Sequence, residues 1–190
     1  MLCRDIDAFS YYIRDSLQPA IRSGSGEELQ PAFLTARKYY KRIEWAAEYF
    51  AYSTARFING APKAEAELPG NSNMILSPSG LQVMEEHIFP AFDTASRYVL
   101  LKQTESILDK LQIFKTYFSG IPVAAWQILD AAKLEVFRIE TLGITGYDNP
   151  LSRNSMEECA VALQALQQAL TPYDARRNTV RELLSHNIAF

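Results

Sequence analysis

Apolar residues in this chain return every three or four positions, and the strict alternation of a half-buried strand is nearly absent. That periodicity restricts the chain to an all-α fold. Between Glu27 and about Asn59, the residues Phe33, Ala36, Tyr40, Ile43, Ala47, Phe50, Ala51 and Ile58 paint one stripe. The spacing predicts one helix of roughly 30 residues, ~45 Å long, closed by Asn59-Gly60 and Pro62. A shorter amphipathic stretch from Asp5 to about Arg22 precedes it, with Ser23-Gly24-Ser25-Gly26 as the turn between.

The segment 61–79 carries Pro62, Pro69, Gly70, Asn71, Asn73 and Pro78 with little periodicity, and reads as one long loop. Ser77-Pro78 offers a capping hydroxyl and a first-turn proline for a helix running to about Phe89, where Pro90 stops it. Further helices are predicted from about Asp93 to Phe118 and from Pro122 to about Leu142. Ser155-Met-Glu-Glu158 has the form of a capping box opening a helix to about Leu170, and Thr171-Pro172 starts a last one to about Asn187. Five to seven helices joined mostly by short turns imply one domain over 1–190, an up-and-down antiparallel bundle. The tripeptide Arg42-Ile-Glu44 recurs as Arg138-Ile-Glu140 without a wider repeat.

The balance of charge narrows the partners. With 19 Lys+Arg against 22 Asp+Glu, the chain has no field to attract nucleic acid or an anionic membrane surface. At 190 residues and 48% hydrophobic content it can bury a sizeable core without disulfides. No apolar run approaches the ~20 residues that span a bilayer. Cys3 and Cys159 are too few for a CxxCH haem attachment or a four-ligand zinc site. Cys3 could carry a lipid anchor if a signal segment precedes it.

Candidate chemistry is sparse. His87 falls opposite Leu81, Met84 and Ile88 on the helical wheel, His186 lies near the end of the sequence, and Glu85-Glu86-His87 is not HExxH. Acids on apolar stripes are more telling, because a charge is seldom placed there unless it is paired or binds something. At 100° per residue, Glu44 lies about 40° from Tyr40 and Ile58, and Glu85 about 40° from Leu81. Glu135 borders the face of Ala125, Ile128, Ala132 and Ile139. Glu44, Glu85 and Glu135 could form a carboxylate site for a cation, or each could pair with a basic residue such as Arg37 or Lys41. The dense aromatics, with Tyr39, Tyr40, Trp45, Tyr49, Phe50, Tyr52 and Phe57 close together, suit helix packing better than base stacking, because no basic face accompanies them. Tyr147-Asp-Asn-Pro150 after Gly143-Ile-Thr-Gly146 has the wrong spacing for a phosphate loop and lacks its Lys.

The segment Leu76-Ser-Pro-Ser-Gly80-Leu-Gln82-Val-Met-Glu85-Glu-His-Ile-Phe-Pro90 resembles the GxHxxE helix of the imelysin-like family. It is similar to the variant in the N-terminal regions of Bacteroidetes di-haem cytochrome c peroxidase-like proteins. Ala36-Arg-Lys-Tyr-Tyr-Lys-Arg-Ile-Glu-Trp45, Asn59-Gly-Ala-Pro62 and the stretch from Arg138 to Pro150 carry the same resemblance. It implies an all-α, periplasmic or outer-membrane-associated module linked to iron uptake or haem proteins. Gly80, Gln82 and Glu85 then stand where the motif has Gly, His and Glu. Gln82 replaces an imidazole with a neutral amide, a poor metal ligand and no base at neutral pH. Without CxxCH, no covalent haem is expected in this chain, and any metal should bind weakly. The expectation is therefore a non-enzymatic cell-envelope domain that docks or binds a ligand beside a di-haem peroxidase-like domain in the same or a neighbouring chain. The alternative is an iron- or other metal-binding protein, or a metal-dependent enzyme, using the bundle carboxylates.

Overall fold

The structure, a computed structural model, describes residues 1–63, 65–66 and 75–173. Among these the protein is an all-α helical bundle, with one two-residue antiparallel ladder as the exception. Helix α1 (Leu2–Tyr12) passes through a π segment (Ile13–Leu17) into α2 (Gln18–Ser23), a continuous rod where the sequence predicts one helix. Helix α3 (Gly26–Lys41) starts at a capping box, in which Ser25 N–H donates to Glu28 Oε2 at 2.8 Å and Glu28 N–H to Ser25 Oγ at 3.4 Å. Such a cap is worth ~1 kcal/mol.

The single helix expected over 27–59 is three: α3, α4 (Glu44–Phe50) and α5 (Tyr52–Asn59). Neither break has a Gly or Pro. At the first, Ile43 is fully buried while Arg42 turns away to Asp5 at 3.0 Å. At the second, Ala51 leaves helical geometry at φ −146°, ψ 52°, between the Phe50–Phe118 ring contact and the start of α5. Tertiary packing outweighs the helical propensity that the stripe announces.

The described ends of the 61–79 connection pair as β1 (Glu65–Ala66) and β2 (Ile75–Leu76), with Glu65 opposite Leu76. Residues 64 and 67–74 of that loop lie outside the described residues. So does the last predicted helix with His186, beyond a 3-10 turn at Thr171–Tyr173. Helix α6 (Leu81–Ile88) begins three residues later than Ser77-Pro78 suggests. Its N-cap is Gly80 at φ +97°, where a Cβ would overlap the Ile58 carbonyl, so only glycine fits. Gly80 N–H donates to Gln103 Oε1 at 2.9 Å, Ser79 Oγ donates to the Phe57 carbonyl, and no side chain caps the helix.

Helices α7 (Arg97–Gly120) and α8 (Ala125–Arg138, followed by a π turn at Ile139–Gly143) match the expected spans closely. Helix α9 (Ser155–Leu170) has Asn154 at its N-cap without a side-chain cap. The capping box read at Ser155–Glu158 does not form: Ser155 Oγ donates to Asn149 Oδ1 at 2.6 Å and Glu158 turns inward. One continuous core runs from Leu2 to Ala169. α7 packs on α1, α2, α5 and α6, while α3 and α4 pack on α9 and α8. Phe9, Phe33 and Phe114 are fully buried in it, each worth ~1.5–3 kcal/mol. Tyr39 stacks on Tyr12 and Phe50 meets Phe118, so these aromatics pack helix against helix. None of the described helices is long and apolar enough to cross a membrane.

Candidate functional site

A seam of charge lies beside this core. Helix α3 turns Arg37, Tyr40 and Lys41 inward on the face that also carries Phe33 and Ala36, the three- and four-residue spacing of one helical face. Arg37, 1% exposed, grips Glu158 of α9 with two bonds, Nε to Oε1 at 2.6 Å and Nη2 to Oε2 at 2.9 Å. It also donates to the Asp148 carbonyl at 2.9 Å and to Asn59 Oδ1 at 3.5 Å. Lys41 Nζ bridges Glu44, at 2.8 Å, and Asp148 Oδ2, at 2.9 Å. Burial alone would lower the pKa of both cations. Glu158 beside Arg37, and Glu44 and Asp148 beside Lys41, reverse this and raise both pKa values. Burial would raise Asp148, but Lys41 overrides it and holds that carboxyl below its usual range.

The motif positions join the same seam. Gln82 Nε2 donates to the Asn59 carbonyl at 3.1 Å and to Asp148 Oδ1 at 3.3 Å. Glu85 Oε1 accepts the Ser152 N–H at 2.8 Å. Gly80, Gln82 and Glu85 thus tie α6 to the end of α5 and to the 144–154 loop. The amide of Gln82 spends its donors on oxygen acceptors. A carboxamide nitrogen donates and does not ligate, so Gln82 could offer a cation only its neutral oxygen, a weaker ligand than the imidazole the motif has there.

The far end of the seam is built differently. Arg138 of α8 reaches Glu48 Oε1 at 3.0 Å and Glu44 Oε1 at 3.3 Å, and its Nε is 4.0 Å from Glu135 Oε2. Tyr40 donates to Glu48 at 3.2 Å. Neither oxygen of Glu135 has a hydrogen-bond partner among the described residues, and Arg138 Nε is likewise unmatched. Burial first, and the Glu44 carboxylate second, push the Glu135 pKa well above the carboxylate range and favour its neutral form. Burial pushes Glu48 up to about 7 against the opposing pull of Arg138.

Glu44, Glu85 and Glu135 are at most 2% exposed, inward as their wheel positions predict. They do not converge on one point. Glu44 and Glu135 share the Arg138 end, whereas Glu85 is held by Ser152 and acts on Arg37. Among the described residues no group of three or more His, Cys, Asp or Glu is arranged to hold a metal ion. Lys41, Glu44, Arg138, Asp148, Asn149 and Cys159 border a cavity of about 10 Å³, room for one water and for no organic substrate. Burial raises the Cys159 thiol, which leaves it protonated and unreactive. His87, expected to be exposed, is half-buried, with Nδ1 3.2 Å from Ser96 Oγ. Cys3 is partly exposed, its Sγ 3.4 Å from Ser119 Oγ.

Sequence reading missed Glu158, Arg138 and the Asp148-Asn149 pair. Glu158 reads as a cap residue and 147–150 as a stretch with the wrong spacing for a phosphate loop, and their partners lie roughly a hundred positions away in the chain. A buried Arg at stripe spacing was the available signal, since it demands a buried acid. The class that fold and site define is an all-α bundle fastened by a buried ionic seam. Comparison of the chain with protein-family profiles, curated proteins and solved structures finds no match to any of them.

Proposed function

We propose that this chain is a non-enzymatic, imelysin-like helical module of the bacterial cell envelope that docks beside a di-haem cytochrome c peroxidase-like domain. The observation that carries the reading is the outer face of α8. Trp126, Leu129, Val136 and Phe137 are 60%, 47%, 38% and 61% exposed, and at 100° per residue they fall within about 100° of one another. The opposite face of the same helix buries Ile128, Ala131, Ala132 and Glu135. Lys133, 78% exposed, is the one charge within the exposed stripe, and a helix with large apolar side chains on both faces has one face to spare for a partner. The motif helix supports the non-enzymatic half of the reading, since Gln82 and Glu85 are spent on internal hydrogen bonds. The envelope setting and the peroxidase partner come from the sequence resemblance.

The test uses haem as a fluorescence quencher. Titration of the chain with a purified di-haem peroxidase-like protein from the same source should quench Trp126 saturably, and Phe137→Ser should weaken the binding at least ~10-fold. Absence of quenching at high micromolar partner would end the docking reading. Calorimetry with Fe, Zn and Ca addresses the metal alternative. Submicromolar binding abolished by Glu44→Gln or Glu85→Gln would replace the present proposal with a carboxylate metal site.

A further inference from the structure

The loop between the π turn and α9 leaves an unusual number of polar groups without partners. Ile144, Gly146, Asn149, Pro150, Arg153 and Met156 line an open cleft of about 410 Å³ at the start of α9. Four observations meet there. The first hydrogen bond within α9 is Glu158 N–H to the Asn154 carbonyl, and the N–H groups of Ser155, Met156 and Glu157 meet no acceptor among the described residues. Asn154, at the N-cap, offers no side-chain cap, and its Nδ2 is buried and unpartnered. Asn149, 1% exposed, forms part of the cleft wall, and its Nδ2 has no acceptor. Arg153 stands at the cleft, exposed and without an ion pair among the described residues, with its backbone at φ +55°.

Each of these groups is a donor or a positive charge, and none has its complement. Such donors, left together at the positive end of a 16-residue helix, want an oxyanion. The neighbouring acids do not supply one. Glu158 is held by Arg37, Asp148 by Lys41, and Glu157 reaches Lys38. Gly146, at φ +75°, keeps the mouth narrow yet open: a Cβ there would come within 3.2 Å of Ser155 Oγ. The apolar rim of Ile144, Pro150 and Met156 gives an organic group something to rest on.

We propose that this cleft binds a phosphate group, free or carried by a small organic molecule, through the amides of the first turn of α9, Asn149 Nδ2 and the Arg153 guanidinium. The arrangement differs from a nucleotide phosphate loop, because its donors come from one helix end and one buried asparagine and its cation is an arginine. The inference is independent of the docking reading, which concerns α8.

NMR titration of the full chain with inorganic phosphate at constant ionic strength should shift the Ser155, Met156 and Glu157 amide resonances saturably. Arg153→Gly removes the cation and at the same time relieves the left-handed backbone. The variant should therefore melt no lower than the wild type while binding phosphate at least ~10-fold more weakly. Arg153→Lys, which keeps a charge without the planar fork, should fall between the two. Phenyl phosphate tells the sources apart: tighter binding than inorganic phosphate indicates an organic ligand on the apolar rim, and equal binding indicates free phosphate. Amide shifts that do not saturate, or saturable binding that Arg153→Gly leaves unchanged, would overturn the proposal.

Discussion

The two ends of the buried seam use the same residue types and reach opposite solutions. Around Arg37, the cations meet carboxylates at hydrogen-bond distance, since Glu158 grips the guanidinium and Lys41 holds Asp148, while Glu85 beside them is held by the Ser152 N–H. Around Arg138, three acids, Glu44, Glu48 and Glu135, press on one arginine and a share of Lys41. The first end can be fully ionised. The second cannot, and it balances itself by keeping protons on carboxyl groups. Satisfied polar networks specify one packing of the helices, while under-matched ones store a dependence on pH.

The comparison breaks most visibly at Arg37. Arg37→Met should strand Glu158 as an uncompensated buried anion and cost about 3–5 kcal/mol, read as a lowered urea midpoint. Arg138→Met should cost less, about 1–2 kcal/mol, because the acids it abandons can take up protons instead of remaining charged. A larger loss at Arg138 than at Arg37 would mean that the two ends do not differ as described.

Opposite pKa directions sharpen the contrast. Asp148 is held below its usual range, so its contribution is present at neutral pH and is lost as pH falls through its folded value. Glu48 is raised from 4.5 to about 7, so its contribution is complete below 4.5 and is lost as pH rises through 7. That loss amounts to roughly 3 kcal/mol at most. Glu48→Gln should flatten the fall in stability across that window and leave the acid limb unchanged, which unfolding curves at several pH values would reveal. An unaltered slope above pH 5 would assign the loss to another group.

What the sequence made legible follows the same division. The inward faces of Glu44, Glu85 and Glu135 are visible from helical spacing, because a wheel position depends only on neighbours in the chain. Gly80 is legible as a motif residue, and its reason, the Ile58 carbonyl beside it, is not. The partners Glu158, Asp148 and Arg138 come from distant segments, and the breaks at 42–43 and 51 have no local breaker residue. Non-local pairing decides which buried acid is charged and which is not, and a periodic pattern carries no record of it.

The smallest effect is expected where burial alone would forecast a large one. Glu135 is 1% exposed and has no hydrogen-bond partner among the described residues, a position where disturbing a charged group would cost several kcal/mol. Its raised pKa changes the forecast. A carboxyl that is already neutral differs from the amide of Gln by little in size and by nothing in charge. Glu135→Gln should therefore change stability by less than about 1 kcal/mol at about pH 4, where the carboxyl is protonated in the folded and the unfolded chain alike. As pH rises above 4.5, the unfolded carboxyl ionises while the one buried beside Glu44 resists, so the wild type loses stability, whereas the amide has no proton to lose. The variant should then become the more stable of the two, and urea unfolding at about pH 4 and again at about pH 7 would show the divergence. A loss of several kcal/mol in the variant at about pH 7 would mean that Glu135 is a charged member of the seam after all, and the two ends would then be alike.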